Sequence, residues 1–233
     1  MSATSPRPAA ALDPVLDVHF DVEDAGMVAH AAVPTLRFAV RIRAAPERQI
    51  RSIMLDVQIQ IAARRRSYDG AEKERLLELF GEAGRWGTTL RTLPWTRVSR
   101  NVPGFTGETL ADLDVPCTYD FEVTAAKYLQ ALDGGEIPLE LLFSGTVMYT
   151  SDAGLLQMAR ISWERDAEYG LPVKVWRETM DHYFPGAAWL RLSRETFDRL
   201  YAFRARNTMP SWEHALDALL APHETKDEEH PDG

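Results

Sequence analysis

Strict alternation of apolar and polar residues in the first half of the chain is the feature that most limits the fold. It occurs in three stretches, at 15–22, 36–43 and 53–61. The apolar rows are Leu16, Val18, Phe20, Val22, Leu36, Phe38, Val40, Ile42, Ile53, Leu55, Val57, Ile59 and Ile61. Because successive side chains of a strand point to opposite faces of a sheet, these rows predict three half-buried strands. The intervening arginines and glutamines predict a solvent-exposed face, which is typical of antiparallel sheets.

The remaining strands are predicted from short apolar runs bounded by turn residues. They lie at 98–102, 109–115, 118–124, 137–149 and 155–163. The stretches at 36–43 and 53–61, separated by a turn that contains Pro46, are predicted to pair as a hairpin. About eight short antiparallel strands with few helices between them are typical of two packed sheets. The sequence therefore predicts a mainly β protein with C-terminal helices, an immunoglobulin-like antiparallel β-sandwich with peripheral α-helices.

Helical periodicity is concentrated in the last quarter of the chain. Helices are predicted at 172–184, after the capping residue Ser193 and after Pro210, in addition to a short helix that begins near Asp69. The segment 125–132 fits either a strand or a helical turn. These elements predict one domain at 14–221, whose C-terminal helical part is 172–221. Residues 1–13 are predicted to be a disordered leader and 222–233 a disordered acidic tail.

Composition excludes several classes of partner and location. The net charge of −9 argues against nucleic acid, because such binding depends on lysine and arginine neutralising phosphates. The single cysteine, Cys117, permits neither an intramolecular disulfide nor a multi-cysteine metal centre, and it fits a reducing compartment. No stretch approaches the roughly 20 apolar residues of a membrane span, and no apolar export segment is present. A cytoplasmic protein without membrane insertion is predicted.

Motifs that carry catalysis are missing from the sequence. It contains no phosphate-binding or dinucleotide-binding glycine pattern, no GxSxG elbow and no HExxH metal motif. Ser144-Gly145 lies inside a predicted strand, which favours a packing role, and Cys117 is predicted to be a buried side chain rather than a nucleophile. We therefore predict no catalytic residue, no cofactor and no metal site. This favours a non-enzymatic protein without deciding the matter.

Aromatic and arginine side chains are the most distinctive feature of the C-terminal part. They either pack helices against the sheets or form a binding surface, because tryptophan, tyrosine and arginine are enriched at interface hot spots. The predicted protein-binding residues are Trp176, Arg177, Tyr183, Trp189 and Arg191. The basic run Arg64-Arg65-Arg66 is interpreted as a solvated strand end, with a docking patch as the alternative.

Three segments resemble an uncharacterised bacterial protein family, found mainly in actinobacteria. They are PCTYDFEVTAAKYLQAL at 116–132, PLELLFSGTVMY at 138–149 and LPVKVWRETMDHYFPGAAWLRLSRETFDRL at 171–200. The resemblance covers about 14–205 and brings no established activity and no catalytic residues. Genes of this family often lie near uptake [NiFe]-hydrogenase genes. That setting implies an accessory role in hydrogenase assembly or operation.

Three hypotheses of different classes follow, the third being a self-associating structural protein that pairs through an exposed strand edge. The first is a non-enzymatic cytoplasmic accessory protein that binds a protein partner through its C-terminal part, the partner suggested by the resemblance being a hydrogenase subunit or maturation factor. The alternative is a small-molecule-binding protein or enzyme that uses a cleft between the sandwich and the C-terminal helices, with Asp181, His182 and Tyr183 at its rim. The sequence does not predict the oligomeric state.

Overall fold

The computed structural model describes residues 16–117, 123–186 and 192–227. The chain divides into two compact units, one from Met1 to Trp189 and one from Leu190 to Gly233. We call the first the sheet unit and the second the helical unit. The predicted leader, 1–13, lies outside the described residues.

Antiparallel strands in two sheets build the sheet unit. The strands are β1 (Val18–Met27), β2 (Thr35–Ala44), β3 (Gln49–Ile61), β4 (Leu93–Thr106), β5 (Glu108–Pro116), β6 (Glu136–Thr150), β7 (Leu156–Arg160) and β8 (Asp166–Pro172). One sheet has the order β1-β2-β5, and the other has the order β4-β3-β6, with both β7 and β8 paired to β6. The prediction of mainly antiparallel sheets with C-terminal helices is confirmed.

The predicted hairpin between the second and third alternating stretches is wrong. β2 pairs with β1 and β5, whereas β3 pairs with β4 and β6. The turn between β2 and β3, closed by a 2.9 Å hydrogen bond from the Arg48 amide to the Ala45 carbonyl, carries the chain from one sheet to the other. Both apolar rows reach the core in this way, because the two strands belong to different sheets that contribute to the same core.

The apolar rows of both sheets contribute to one hydrophobic core. Aromatic pairs join the sheets: the Phe20 and Phe143 rings stack with centroids 4.4 Å apart, and Phe38 meets Tyr169 edge to face at 6.0 Å. The polar rows lie outside, as predicted. On the outer face of the three-stranded sheet, Arg37 bonds Asp114 in β5 through two contacts of 2.6 and 2.9 Å.

Seven helices are described. They are α1 (Gly70–Arg75), α2 (Leu77–Phe80), α3 (Trp86–Thr89), α4 (Thr124–Ala131), α5 (Val173–Tyr183), α6 (Arg194–Arg206) and α7 (Trp212–Asp227), with short 3-10 turns at Ala63–Arg65 and Ala83–Arg85. The segment that fitted either a strand or a helical turn is the helix α4. Of the predicted strand at 118–124, residues 118–122 lie outside the described residues.

The last helix is longer than predicted. It continues to Asp227, through part of the segment predicted to be a disordered tail. In the described part of the chain, no helix is both long enough and apolar enough to cross a lipid bilayer.

Candidate functional site

The helix α5 carries three of the five predicted protein-binding residues, and the structure gives each an intramolecular role. Trp176 is buried in the core at 6% exposure. Arg177 donates to the Leu132 carbonyl and, at 3.1 Å, to the Asp133 carboxylate. The Tyr183 hydroxyl donates to the carbonyl of Val28, 2.7 Å away. These contacts fix α5 to neighbouring segments of the sheet unit. An external partner would have to compete with them.

The other two predicted residues, Trp189 and Arg191, lie outside the described residues. Their role, like that of the whole predicted set, stays a prediction. The rim proposed for a cleft beside α5 is also engaged internally, since the His182 Nε2 lies 3.3 Å from the carbonyl of Ala29.

Asp133 joins α5 to α1, because the guanidinium groups of Arg75 and Arg177 both bond its carboxylate. These hydrogen bonds, that of Arg75 first, lower the pKa of Asp133 below its ordinary value. A lowered folded-state pKa means that the stabilisation is present above about pH 4, the ordinary pKa of aspartate, and is lost as the pH falls through the folded value.

We expect Asp133→Asn to unfold at a lower urea concentration than the wild type at pH 7. The difference in midpoint should shrink as the pH falls below about 4, because the wild-type carboxyl is then protonated too. Urea midpoints measured from pH 7 to pH 3 test this. Asp181→Asn, an exposed aspartate on α5, is the matched control and should show no such change. A midpoint difference that stays constant down to pH 3 would show that the charged form of Asp133 is not stabilised by Arg75 and Arg177.

The helical unit consists of two capped helices. The Ser193 hydroxyl accepts from the Thr196 amide at the start of α6, and the Ser211 hydroxyl accepts from the His214 amide at the start of α7. Three aromatic rings, those of Phe197, Tyr201 and Trp212, lie within 5.5 to 6.5 Å of one another. The Arg204 guanidinium lies over the Trp212 ring at 4.6 Å. This cluster ties α6 to α7.

Apolar residues on both helices nevertheless remain exposed. They recur at helical spacing and have exposures between 36% and 57%. We call this set the helical face; it comprises Phe197, Tyr201, Leu216, Leu219 and Leu220. None of the residues of α6 is buried. Single exposed apolar side chains are common on proteins, but a row along two neighbouring helices is typical of an interaction surface.

The basic run follows the end of β3, where Arg64 and Arg65 are exposed as expected of a solvated strand end, whereas Arg66 is largely buried. Each guanidinium is engaged: Arg64 bonds the Leu90 carbonyl, Arg65 pairs with Glu168 at 2.7 Å, and Arg66 pairs with Glu72 at 2.6 Å. The last pair is largely buried, with side-chain exposures of 13% for Arg66 and 4% for Glu72. The alternative of a docking patch is therefore disfavoured, because Arg65 and Arg66 have carboxylate partners within the chain.

The buried pair belongs to a larger polar network. Glu72 also accepts from the amides of Asp69 and Asp133, at 3.3 and 3.0 Å. The Arg66 guanidinium lies over the Tyr68 ring, and the Tyr68 hydroxyl donates to the Ala63 carbonyl at 2.6 Å. The Tyr128 hydroxyl lies 2.7 Å from that of Tyr68, and burial raises the pKa of both phenols. A tyrosine held protonated in this way is suited to packing rather than to proton transfer.

An open cleft of about 980 Å³ lies beside this network. Its walls come from the segment after β3, the turn before β6 and the strand β8. Charged and aromatic side chains line it, among them Arg65, Asp69, Glu136, Glu168, Tyr68 and Tyr169. This cleft is formed by residues that sequence reasoning did not connect.

Groups that could perform redox or metal chemistry are sparse. Burial raises the pKa of Cys117 to about 12, so the thiol stays protonated, and the prediction of a buried side chain is confirmed. In the ranges 16–117, 123–186 and 192–227, no group of three or more His, Cys, Asp or Glu side chains is placed to hold a metal ion.

A family model matches almost the whole of the chain and extends over most of both units. The match spans residues 15–228 and is to DUF6084, a family of unknown function. The chain belongs to this family. The range matched to DUF6084 therefore includes the residues of the buried ion pair, of the cleft and of the helical face.

Known proteins add no functional assignment to the DUF6084 chain. No curated protein matches it. Among solved structures, it is similar to a protein described as late embryogenesis abundant (LEA), at 13% identity over 67% of this chain and 72% of that chain, with a TM-score of 0.30. It is also similar to a β-glucosidase from Kluyveromyces marxianus, at 6% identity over 67% and 15%, with a TM-score of 0.25. A protein described as ApaA from Bordetella pertussis shares 14% identity over 68% and 96%, with a TM-score of 0.24. TM-scores this low identify neither a shared fold nor a shared activity.

Sequence reasoning missed the buried Arg66–Glu72 pair in this family member. One local signal was present, because Asp69 and Glu72 have the spacing of a capping box, and both of its hydrogen bonds form at the start of α1. The contacts to Arg66 and Asp133 carried no comparable signal. They arise only when β3, α1 and the end of α4 are brought together.

Proposed function

We propose that this DUF6084 protein is a non-enzymatic accessory protein that binds another protein through its helical face. The observation that carries this proposal is the exposed apolar row on α6 and α7. Leu216, Leu219 and Leu220 follow Trp212 at spacings of four, seven and eight residues, which place them on one side of α7. Such a row is the pattern with which helices bind apolar grooves of partner proteins.

Energetics support a partner at this surface. Full burial of a leucine side chain contributes about 1.5–3 kcal/mol, so three exposed leucines represent a substantial unused contribution. Short helices are marginally stable by themselves and depend on tertiary packing. Phe197 and Tyr201 add aromatic area beside the leucines, and aromatic anchors are common at hot spots. Binding would therefore stabilise the helical unit as well as hold the partner.

The residues Trp176, Arg177 and Tyr183 do not carry the proposed contact in this arrangement, because they hold α5 in place. Trp189 is the last residue of the sheet unit in sequence, and Arg191 is the second residue of the helical unit. They keep their predicted role as contributors to the binding surface.

The partner that we propose is a subunit or maturation factor of an uptake [NiFe]-hydrogenase. Support for this part comes from the family resemblance and the gene setting that it implies. A cytoplasmic location is part of the same proposal, and the single buried thiol of Cys117 is compatible with a reducing compartment. We also propose that the two sheets form an immunoglobulin-like sandwich, which the aromatic contacts between them support.

The test is affinity capture of the tagged protein from its native cells, grown with and without hydrogen, followed by mass spectrometry. Leu220→Asp places a charge within the helical face. We expect it to reduce recovery of the partner at least about tenfold, because a lost leucine contact and a desolvated carboxylate together exceed 1.4 kcal/mol. Binding of the purified pair should fall by the same factor.

Ala218→Asp is the matched control, since it adds the same charge to α7 at an exposed position outside the apolar row. It should leave recovery of the partner unchanged, and circular dichroism should show equal helix content in both variants. Equal recovery of the partner by Leu220→Asp and the wild type would refute the proposal that the helical face is the binding surface. Recovery that depends on this face but contains no hydrogenase protein would refute only the named partner.

A further inference from the structure

The strand β7 leaves one edge of the five-stranded sheet open. In the described part of the chain, β6 is its single paired neighbour. The Ile161 amide, just after β7, donates to the Gly145 carbonyl of β6 at 3.1 Å. Backbone groups of an antiparallel strand point alternately to its two sides, so Leu156, Met158 and Arg160 direct their N–H and C=O groups away from β6. Such a row of unpaired groups is a template for another strand.

Apolar side chains accompany this open edge. Leu155, Leu156, Met158 and Trp163 lie in β7 or within three residues of it, and each is 62–86% exposed. Leu156 and Met158 lie on one face of the sheet, because they are two residues apart in a strand. On that face Met158 is paired with Met148 of β6, which continues the apolar surface away from the edge.

The other edge strands carry features that oppose pairing with another chain. Proline lacks the N–H group that a ladder needs, and exposed charges oppose the addition of a strand. β7 contains neither a proline nor a carboxylate. Among the described residues, the remaining edge strands all contain one or both: Asp21, Glu23 and Asp24 in β1, Pro94 and Pro103 in β4, Glu108, Asp112, Asp114 and Pro116 in β5, and Asp166, Glu168 and Pro172 in β8.

We infer that β7 pairs with β7 of a second copy of this chain, in an antiparallel arrangement that joins the two five-stranded sheets across a two-fold axis. In this register Met158 lies opposite Met158 of the second copy, and Leu156 lies opposite Arg160 of the second copy. These residues exchange backbone hydrogen bonds with their counterparts, about six in all. A two-fold axis requires a surface that is complementary to itself, and this edge satisfies that requirement.

Charge and area both fit such a pair. The Arg160 side chains of the two copies lie four residues apart along the ladder, about 13 Å, so like charges do not face each other. Contact between the exposed apolar side chains and the two strand edges buries about 1,000 Å² in total, the lower end for a specific interface. We therefore expect a reversible dimer with a dissociation constant in the micromolar range. The contact uses residues of the sheet unit alone, so it does not depend on the function proposed for the helical face.

Sedimentation equilibrium of the full-length protein, from about 1 to 500 µM, tests the inference. The mass should rise with concentration from that of one chain toward that of two. Met158→Lys should weaken the dimer at least about tenfold, because two ammonium groups then face each other across the axis. A wild type that stays monomeric throughout this range would overturn the inference; capture of another protein that depends on Met158 would then assign the open edge to a foreign strand.

Met54→Lys is the matched control for this variant. Met54 is exposed on the same face of the sheet but lies in β3, two strands from the open edge. The added charge should change the dissociation constant less than about twofold, and circular dichroism should show equal strand content in both variants. Equal weakening by Met54→Lys and Met158→Lys would overturn the inference, because the effect would then come from net charge.

A mixing experiment is specific to the register. Met158→Lys and Met158→Glu should each dimerise poorly alone, but their mixture should form a heterodimer at least about tenfold tighter than either homodimer, because opposite charges then face each other. No gain on mixing would overturn the pairing of Met158 with its own counterpart. Leu220→Asp, in the helical face, should leave the dimer unchanged. Loss of the dimer in Leu220→Asp but not in Met158→Lys would assign self-association to the helical face and overturn the inference.

Discussion

Gly145→Ala is expected to lower the free energy of unfolding by about 4 kcal/mol or more, or to prevent folding. Gly145 has a φ of 136°, a conformation that side-chain-bearing residues rarely adopt. A Cβ atom there would overlap the Met54 carbonyl oxygen and come within 3.1 and 3.3 Å of the Met54 carbonyl carbon and the Leu55 Cα. All three atoms belong to the backbone of the neighbouring strand, so a side-chain movement cannot relieve the overlap.

The position of Gly145 in β6 explains why this strand needs a glycine. Residues 136–142 of β6 pair with β8, and residues 146–150 pair with β7. The change of partner is bracketed by two hydrogen bonds, from the Phe143 amide to the Arg165 carbonyl at 2.9 Å and from the Ile161 amide to the Gly145 carbonyl at 3.1 Å. Gly145 allows the backbone to adopt a positive φ at this point while β3 stays paired alongside.

Equilibrium unfolding in urea, followed by circular dichroism, measures the effect. Gly26→Ala is the matched control, because Gly26 also lies in a strand, has an ordinary φ and has no atom within 4 Å of the added Cβ. Its change should stay within about 1 kcal/mol. If Gly145→Ala unfolds at the wild-type midpoint, the close approach of β6 to β3 is wrong.

The strands could be predicted from the sequence because alternation is a local signal. The apolar rows of β2 and β3 are buried along their whole length, as expected from a period of two. The partners of each strand could not be predicted in the same way. A four-residue connection such as 45–48 suits a hairpin as well as a crossing between sheets, and only the demand of a shared core decides between them.

A similar limit applies to the charged residues. Arg64, Arg65 and Arg66 form one run in the sequence, but their partners lie in four different segments of the chain. A run of like charges indicates exposure on average, and the burial of Arg66 depends on Glu72 meeting it at the start of α1. The role of Gly145 was partly predictable, because a glycine within an apolar strand often marks a close backbone approach. The positive φ of Gly145 and its close approach to the Met54 carbonyl oxygen were not predictable.

Helical periodicity predicted the helices that carry the helical face. It did not predict that the apolar residues of this face are exposed. The same spacing of Trp212, Leu216 and Leu219 predicts a helix packed against a core as readily as one that awaits a partner. Exposure depends on which other surfaces cover the row. That is why the sequence favoured α5 as a binding element although Trp176 is buried there.

Glu72→Gln is expected to lower the free energy of unfolding by about 3–5 kcal/mol, the loss typical when one partner of a buried ion pair is removed. The substitution keeps the size of the side chain but leaves the Arg66 guanidinium without a counter-charge at 13% exposure. It also turns an amide NH₂ toward one of the donors that Glu72 now accepts from, either Arg66, Asp69 or Asp133. Three connections around α1 are thereby weakened together.

The matched control is Glu78→Gln in α2, which removes a carboxylate that is 71% exposed and paired with Lys127. Exposed pairs contribute about 0–1 kcal/mol, so this variant should unfold close to the wild type. Both variants have the same change in net charge and in side-chain volume. The difference between their free energies of unfolding, measured in urea, therefore reports the effect of burying the carboxylate.

A double variant makes the assignment specific to the Arg66–Glu72 pair. Arg66→Met/Glu72→Gln removes the unpaired charge along with the carboxylate, so it should be less destabilised than the sum of the two single variants by about 1–3 kcal/mol. Arg66 has a second contact with the Glu136 carbonyl, which the double variant also loses, so full recovery is not expected. Strict additivity of the two single effects would show that the pair does not act as a unit, and the buried network would then have to be assigned to Glu72 and the backbone amides alone.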